Sequence, residues 1–113
     1  MEHKDVFLLE MIIDFCNRVA GSLEKHELNY ELFIQDLELQ DMFAFRVEQI
    51  GEYVNDLSDK FKSGHPEIEW HKIVGFRNIV AHAYGSVDMD DLWAIITQDL
   101  PVLCDFCRKQ ISK

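Results

Sequence analysis

Apolar residues recur every three or four positions along most of the chain, which is the period of a helix that buries one face. The first such segment predicts a helix from Asp5 to Ala20 that Gly21-Ser22 ends. One apolar stripe of this helix contains Val6, Leu9, Ile12, Ile13, Cys16 and Val19, and a second stripe contains Leu8, Met11 and Phe15. A helix with two apolar stripes needs two partners, which are either two neighbours in its own bundle or one neighbour and a second subunit.

The most regular apolar pattern lies in the middle of the chain. Phe43, Val47, Ile50, Val54, Leu57 and Phe61 follow one another at alternating intervals of four and three residues, as in a heptad seam. This seam predicts one long helix from Asp36 to Gly64, about 40 Å in length, after a short apolar piece at Tyr30–Ile34. Gly51 lies inside the helix at a cost of about 1 kcal/mol relative to alanine, so we expect another helix to approach its backbone closely there.

A further helix is predicted after the connector His65-Pro66-Glu67, because the residue before a proline is pushed out of helical geometry. This helix spans about Glu69 to Tyr84, and Gly85 ends it. It therefore carries most of the basic and histidine side chains discussed below.

The last helical segment begins near Asp88, with Asp91 in the position of a capping-box partner three residues later. Pro101 falls inside this segment, so we expect it to kink the helix or to split it into Met89–Gln98 and Leu100–Ile111. No segment alternates between apolar and polar residues as a strand does. The predicted fold is therefore all-α, an up-and-down bundle of four to five helices.

Length and composition narrow the class of protein further. The 113 residues, with a mass of 13.3 kDa, predict a single domain over residues 1–113. Hydrophobic residues make up 48% of the chain, which excludes a disordered polypeptide. No apolar run is long enough for a membrane span, and the first residues do not resemble a secretory signal. The odd number of cysteines, three, then predicts reduced thiols in the cytoplasm.

Charge is distributed unevenly. The net charge of −10 argues against a general nucleic-acid or membrane-surface binder. Between Lys60 and His82, however, four basic residues stand against two acidic ones, a local balance of +2, so the rest of the chain carries −12. Three of the five histidines also lie in this window. A phosphate ligand is therefore expected to bind there.

The same window contains Arg77, Asn78, His82 and Tyr84 on one predicted helix. Asn78 and His82 are one turn apart on one face, and Arg77 and Tyr84 are two turns apart on an adjacent stripe. Arg77 and His82 differ by about 140° around an ideal helix, so the pair converges more naturally when two copies of the helix meet. Arg offers a charged planar fork for a phosphate, and His exchanges a proton near neutral pH.

The residues around this motif resemble a known family. Glu67 to Tyr84 reads Glu-Ile-Glu-Trp-His-Lys-Ile-Val-Gly-Phe-Arg-Asn-Ile-Val-Ala-His-Ala-Tyr. It is similar to the core of HepT-like toxins of the HEPN superfamily, which show Trp, Ile and Gly before Arg-Asn and an Arg-x4-His-x-Tyr ending. Ile50-Gly51-Glu52, Ser86-Val87-Asp88, Leu92–Ile96 and Leu100-Pro101 also fit the family. The resemblance covers the chain from about Asp36 onward and is specific across Trp70–Tyr84.

The resemblance implies a homodimer with a composite cleft that acts as a metal-independent endoribonuclease, with no cofactor. The enzyme would be the toxin of a type II or type VII-like toxin–antitoxin pair, and an MNT-type nucleotidyltransferase would be its antitoxin. His82 would take the proton of a ribose 2′-hydroxyl, Arg77 would stabilise charge on the phosphoryl oxygens, and Asn78 would hold the phosphate or the imidazole. The RNA products would carry a 2′,3′-cyclic phosphate and a 5′-hydroxyl. Transfer of AMP onto Tyr84 by the antitoxin would silence the nuclease.

Plainer interpretations of these residues remain open. Arg77 can pair with an acid of the long helix, such as Glu48 or Glu52. His82 can be a hydrogen-bonded interface residue, and Tyr84 can cap a helix end by packing on Trp70.

For the whole protein, the alternative is a non-catalytic HEPN binding module that partners a nucleotidyltransferase, which the negative charge favours. Cys104 and Cys107 lie in a helical pattern without a second cysteine pair, so we interpret them as core or near-surface thiols and not as a zinc or redox site. The acidic run at Asp88, Asp90 and Asp91 is typical of a helix N-terminus and not of a metal site.

Overall fold

The computed structural model describes residues 1–113, and its regular elements are all helical, as predicted. The helices are α1 (His3–Lys25), α2 (Tyr30–Phe33), α3 (Leu37–Asp56), α4 (Asp59–Ser63), α5 (Trp70–His82), α6 (Met89–Ala94) and α7 (Leu100–Ser112). A 3-10 turn at Tyr84–Ser86 follows α5, and a π-helical turn at Ile95–Asp99 joins α6 to α7. No helix combines the length and the apolar character that crossing a membrane requires.

The helices form one bundle in which α1 packs against α3 and α7, and α3 packs against α5. The predicted seam on α3 is buried from Phe43 to Val54, and it continues through Leu57. Both apolar stripes of α1 are covered within the chain: Leu9 and Ile12 are fully buried, and Leu8 and Phe15 of the second stripe are buried as well. Of the two arrangements left open for α1, the structure therefore shows two neighbours in its own bundle.

The first helix does not end at Gly21-Ser22, as its sequence predicts, but continues to Lys25. It ends in a Schellman motif, in which the Leu28 N–H donates to the Leu23 carbonyl at 3.0 Å and Glu27 has a left-handed φ of 48°. Leu23 packs against the core, so burial extends the helix past its glycine. The chain reversal is made by a glutamate where the sequence rule expects a glycine.

The predicted long helix from Asp36 to Gly64 is interrupted at Leu57-Ser58, where α3 ends and α4 begins. The buried carboxylate of Asp5 accepts hydrogen bonds from the Ser58 N–H at 2.8 Å and from the Ser58 hydroxyl at 2.6 Å. The Ser58 oxygen in turn accepts from the Phe61 N–H at 3.1 Å and caps α4. The interruption thus depends on a residue more than fifty positions earlier, which a periodic pattern does not reveal.

The C-terminal segment divides before Pro101, as predicted, but α6 ends at Ala94 and not at Gln98, and the Asp91 side chain does not complete the predicted capping box. Asp88 caps α6 by accepting from the Asp90 N–H at 2.8 Å, and α7 begins at Leu100 with Pro101 in its first turn. The π-helical turn lies directly before this proline, which lacks the N–H that would close a regular turn. The three cysteines are buried, and burial raises the pKa of Cys107 to about 12 and that of Cys16 further. They are core thiols, as predicted.

Candidate active site

The motif helix α5 is packed closely on α3 at Gly51. A Cβ atom at position 51 would lie 2.4 Å from the Cβ of Arg77 and 3.2 Å from the carbonyl oxygen of Ile73. Close approach at Gly51 is therefore confirmed, and the approaching element is the helix that carries the motif. Because Gly51 has no side chain, the backbone of α5 at Arg77 is held directly against α3.

The guanidinium of Arg77 is held by two neighbours. Its Nε donates to Glu52 Oε1 at 2.7 Å, one of its Nη atoms donates to the same oxygen, and the other donates to Asn78 Oδ1 at 2.7 Å. Of the two acids that the sequence offered as partners, Glu52 is the one that pairs with Arg77. Three of the five guanidinium N–H groups are used, and two remain for a further acceptor. The ion pair thus orients the guanidinium and leaves it able to contact a phosphate.

His82 lies in the last turn of α5, and its side chain is exposed. Gly75, Asn78 and Ile79 are exposed on the same side of the helix, and we call these four residues the motif face. Arg77 lies beside this face against α3, with 22% of its side chain exposed. Within one chain, therefore, Arg77, Asn78 and His82 share a helix but do not enclose a substrate. Three cavities of the chain, with volumes of about 210 to 690 Å³, are lined by other residues.

Tyr84 lies outside α5, contrary to the predicted helix end. The backbone leaves helical geometry at Ala83, with φ −152° and ψ 53°, and Tyr84 begins the 3-10 turn. Its hydroxyl donates a short hydrogen bond to the carboxylate of Asp41 on α3. Partial burial and this hydrogen bond raise the pKa of Tyr84 to about 12. The residue is 40% exposed.

The packing of Tyr84 on Trp70 offered by the sequence is wrong, because Trp70 lies at the opposite end of α5. Its ring is 6.1 Å from that of Phe61 and 5.7 Å from that of Phe106. Its indole N–H donates to the carbonyl oxygens of Lys62 and His65.

Most of the cations in the basic window have partners within the chain. The ammonium group of Lys62 donates to the carbonyl oxygens of Val54 and Asn55 at the end of α3, each at 3.2 Å. The ammonium group of Lys72 lies 2.9 Å from the carboxylate of Asp99. With Arg77 paired to Glu52, three of the four cations in the window are engaged inside the chain. The surface near the motif is thus less positive than the sequence indicates.

Comparison with known proteins identifies the family. The family described as ribonuclease HepT-like matches residues 8–110. "Probable ribonuclease HepT" of Thermococcus cleftensis is 32% identical over 95 residues, which are 80% of this chain and 86% of the relative. "Putative RNase TTE0752" of Caldanaerobacter subterraneus subsp. tengcongensis is 31% identical over 109 residues, 93% of this chain and 88% of the relative. No solved structure matches the chain.

Both relatives are aligned along most of their length, and the family match spans nearly the whole bundle, including α3 and α5. The fold, the packing of the motif helix on α3 and the sequence comparisons agree. The chain belongs to the HepT-like ribonuclease family, a HEPN family.

Proposed function

We propose that the protein is a metal-independent endoribonuclease, the toxin of a toxin–antitoxin pair, and that its active site forms between two copies of the chain. The observation that carries the proposal is the arrangement of Arg77: Glu52 and Gly51 fix the guanidinium, and two of its donors remain at the edge of the motif face. His82 is exposed on that face with no side-chain hydrogen bond within the chain. The family supports RNA as the substrate.

Exposure of apolar residues beside the motif supports the dimer. Ile79 of the motif face is 42% exposed, and Phe45 on the neighbouring helix α3 is 55% exposed. Gly75 has no atom within 4 Å of the position of a Cβ, so the backbone of a second α5 can approach there. A second copy over this face would cover the apolar side chains and bring Arg77 and His82 of both chains to one cleft.

In the proposed reaction, His82 accepts the proton of a ribose 2′-hydroxyl, and the 2′-oxygen attacks the adjacent phosphorus. The bond to the 5′-oxygen breaks, which leaves a 2′,3′-cyclic phosphate and a 5′-hydroxyl. Arg77 stabilises the charge that develops on the phosphoryl oxygens, and Asn78 positions the phosphate. A positioned base contributes about 10²–10⁴-fold to such a reaction, and a preorganised charge contributes about 10²–10³-fold per donor.

We propose further that an MNT-type nucleotidyltransferase is the antitoxin and that it transfers AMP to Tyr84. Tyr84 is 40% exposed and lies two residues beyond His82 in the chain. A nucleotide attached there would carry a negative charge next to the cleft that has to receive RNA.

The test is to incubate the purified, partner-free protein with total RNA in the presence of a chelator. We expect cleavage by the native protein and by His71→Ala, which removes another exposed histidine of α5, and none by His82→Ala or Arg77→Ala. Sedimentation should show a dimer for all four proteins. Cleavage by His82→Ala equal to that of the native protein, or a native monomer that cleaves RNA, would contradict the proposed site.

The second candidate is a non-catalytic binding module that partners a nucleotidyltransferase. The net charge of −10 and the internal pairing of Lys62, Lys72 and Arg77 favour it, because a polyanion gains little from such a surface. A native dimer that does not cleave RNA but binds the nucleotidyltransferase would support this candidate over the nuclease.

A further inference from the structure

The half of α5 that carries the motif packs on the core through Phe76 and Val80, and two further contacts with α3 hold it. The first is at Gly51 and Glu52, which hold Arg77. The second is the hydrogen bond from the Tyr84 hydroxyl to Asp41. On α3 these contacts are eleven residues, or about 16 Å, apart. His82 lies between them along the chain, in the last helical turn before the 3-10 turn that Tyr84 begins.

We propose that Asp41 is a positioning residue for the proposed cleavage: by accepting the Tyr84 hydrogen bond, it fixes the end of α5 and therefore the location of His82. The proposal rests on the proposed function. The side chain of His82 has no hydrogen bond within the chain to fix it, and the terminal turn of a helix frays when it is not held. The Asp41 bond joins residues 43 positions apart, so it holds this turn to the body of the bundle.

This role also gives a physical account of how nucleotide transfer to Tyr84 would silence the enzyme. In that step the phenol oxygen forms a bond to the α-phosphorus of a nucleoside triphosphate, the bond to pyrophosphate breaks, and the phenol proton is released. The proton that is lost is the one through which the Tyr84 hydroxyl donates its hydrogen bond to Asp41 in the unmodified protein. The new phosphodiester is an anion beside the Asp41 carboxylate, so the hydrogen bond is replaced by repulsion. Modification therefore releases the end of α5 as well as crowding the cleft.

The account differs from simple blocking of the cleft in one measurable respect. If the nucleotide only blocks RNA, Tyr84→Phe gives an enzyme that cannot be silenced and cleaves at the native rate. If the hydrogen bond positions His82, Tyr84→Phe is itself impaired, because phenylalanine has no hydroxyl to donate to Asp41.

The chain contains a matched control, a second pair in which a tyrosine donates to an aspartate. Tyr30 on α2 donates to Asp90 on α6 at 2.6 Å, and Tyr30 is exposed to nearly the same extent as Tyr84, 37% against 40%. The Tyr30–Asp90 pair joins two helices that do not carry the motif. Removal of the Tyr30–Asp90 pair deletes a comparable hydrogen bond and leaves the end of α5 unchanged.

The experiment measures kcat and KM for RNA cleavage together with amide hydrogen exchange across residues 79–86. We expect Tyr84→Phe and Asp41→Ala to lower kcat by about tenfold to 10²-fold, the effect of misplacing a reacting group by about 1 Å. KM should change little, and exchange in the last turn of α5 should accelerate. Asp41→Asn should retain most of the activity, because its amide oxygen accepts the same hydrogen bond. Tyr30→Phe and Asp90→Ala should match the native protein in both measurements.

Native kcat in Tyr84→Phe or Asp41→Ala would overturn the positioning role, as would equal losses in the control pair. Failure of the proposed function is a separate result, in which the native protein shows no cleavage that depends on His82. In that case hydrogen exchange alone tests whether Asp41 fixes the end of α5. Unchanged exchange in Tyr84→Phe and Asp41→Ala would reject this role, and accelerated exchange in both variants would support it.

Discussion

Replacement of Gly51 by alanine tests the packing that holds the motif helix on α3. The added Cβ would lie 2.4 Å from the Cβ of Arg77 and 2.9 Å from its Cγ, whereas carbon atoms in ordinary contact are about 3.5–4.0 Å apart. The two helices must therefore separate by about 1 Å or more. Because the contact is more than 1 Å too short, the cost of overpacking lies in the upper part of its usual range, at about 2–3 kcal/mol, and the better helix propensity of alanine returns about 1 kcal/mol.

The net loss of about 1–2 kcal/mol corresponds to a fall of about 4–8 °C in the melting temperature of a domain of this size. Thermal unfolding followed by circular dichroism measures it. The control is Gly21→Ala in α1, where a Cβ meets no atom within 4 Å and the melting temperature should rise by about 4 °C. Separation of the helices should also displace Arg77 and lower RNA cleavage by about 10²-fold. A Gly51→Ala protein that melts at or above the native temperature would refute the reasoning.

Three further predictions concern stability. Glu27→Gly should stabilise the protein by about 1 kcal/mol, because glycine adopts the left-handed φ of 48° without steric cost; a lower melting temperature would contradict this. Asp5→Ala should lower the free energy of unfolding in urea by about 2–3 kcal/mol, since it leaves the N–H and hydroxyl of Ser58 without their buried acceptor. A decrease below about 0.5 kcal/mol would show instead that water replaces the carboxylate. The pKa of Tyr84 is raised from 10.0 to about 12 in the folded chain. The protonated phenol therefore contributes fully to the free energy of unfolding below pH 10, and this contribution is lost as the pH rises towards 12. In an absorbance titration Tyr84→Phe should lack the tyrosine that ionises near pH 12, and an unchanged titration curve would oppose the assignment.

Local periodicity was sufficient to predict the helices but not their ends. The seam from Phe43 to Leu57 identifies the buried face of α3, because each of its members is separated from the next by one turn. The end of α3 depends instead on Asp5, which reaches Ser58 from another helix. The carboxylate of Asp5 comes from a distant part of the chain, so the residues around Ser58 show no periodic pattern that would reveal it.

The same limit applies to the candidate site. The pattern placed Arg77, Asn78 and His82 on one helix, and they lie on α5. It offered Glu52 only as one of two partners for Arg77 and gave no role to Asp41. A signal was present, since Asp41 and Glu52 are eleven residues apart and thus share one face of α3, as Arg77 and Tyr84 share a predicted stripe two turns apart. Matching these two stripes would have paired Arg77 with Glu52. The Tyr84–Asp41 pair also requires Tyr84 to leave the helix, because seven helical residues span about 10 Å and eleven span about 16 Å.

Internal pairing of the basic side chains predicts how RNA binding responds to ionic strength. The ammonium group of Lys62 is engaged by carbonyl oxygens of the same chain and that of Lys72 by a carboxylate, so we expect them to make few contacts with RNA phosphates and to release few counterions. A protein that neutralises 6–10 phosphates loses about 10³–10⁵-fold in affinity between 50 and 200 mM salt, whereas two contacts on a single strand account for only about tenfold. Titrations across this range should therefore show a shallow slope, and discrimination among RNAs would come from unpaired bases and chain shape more than from the density of phosphate charge.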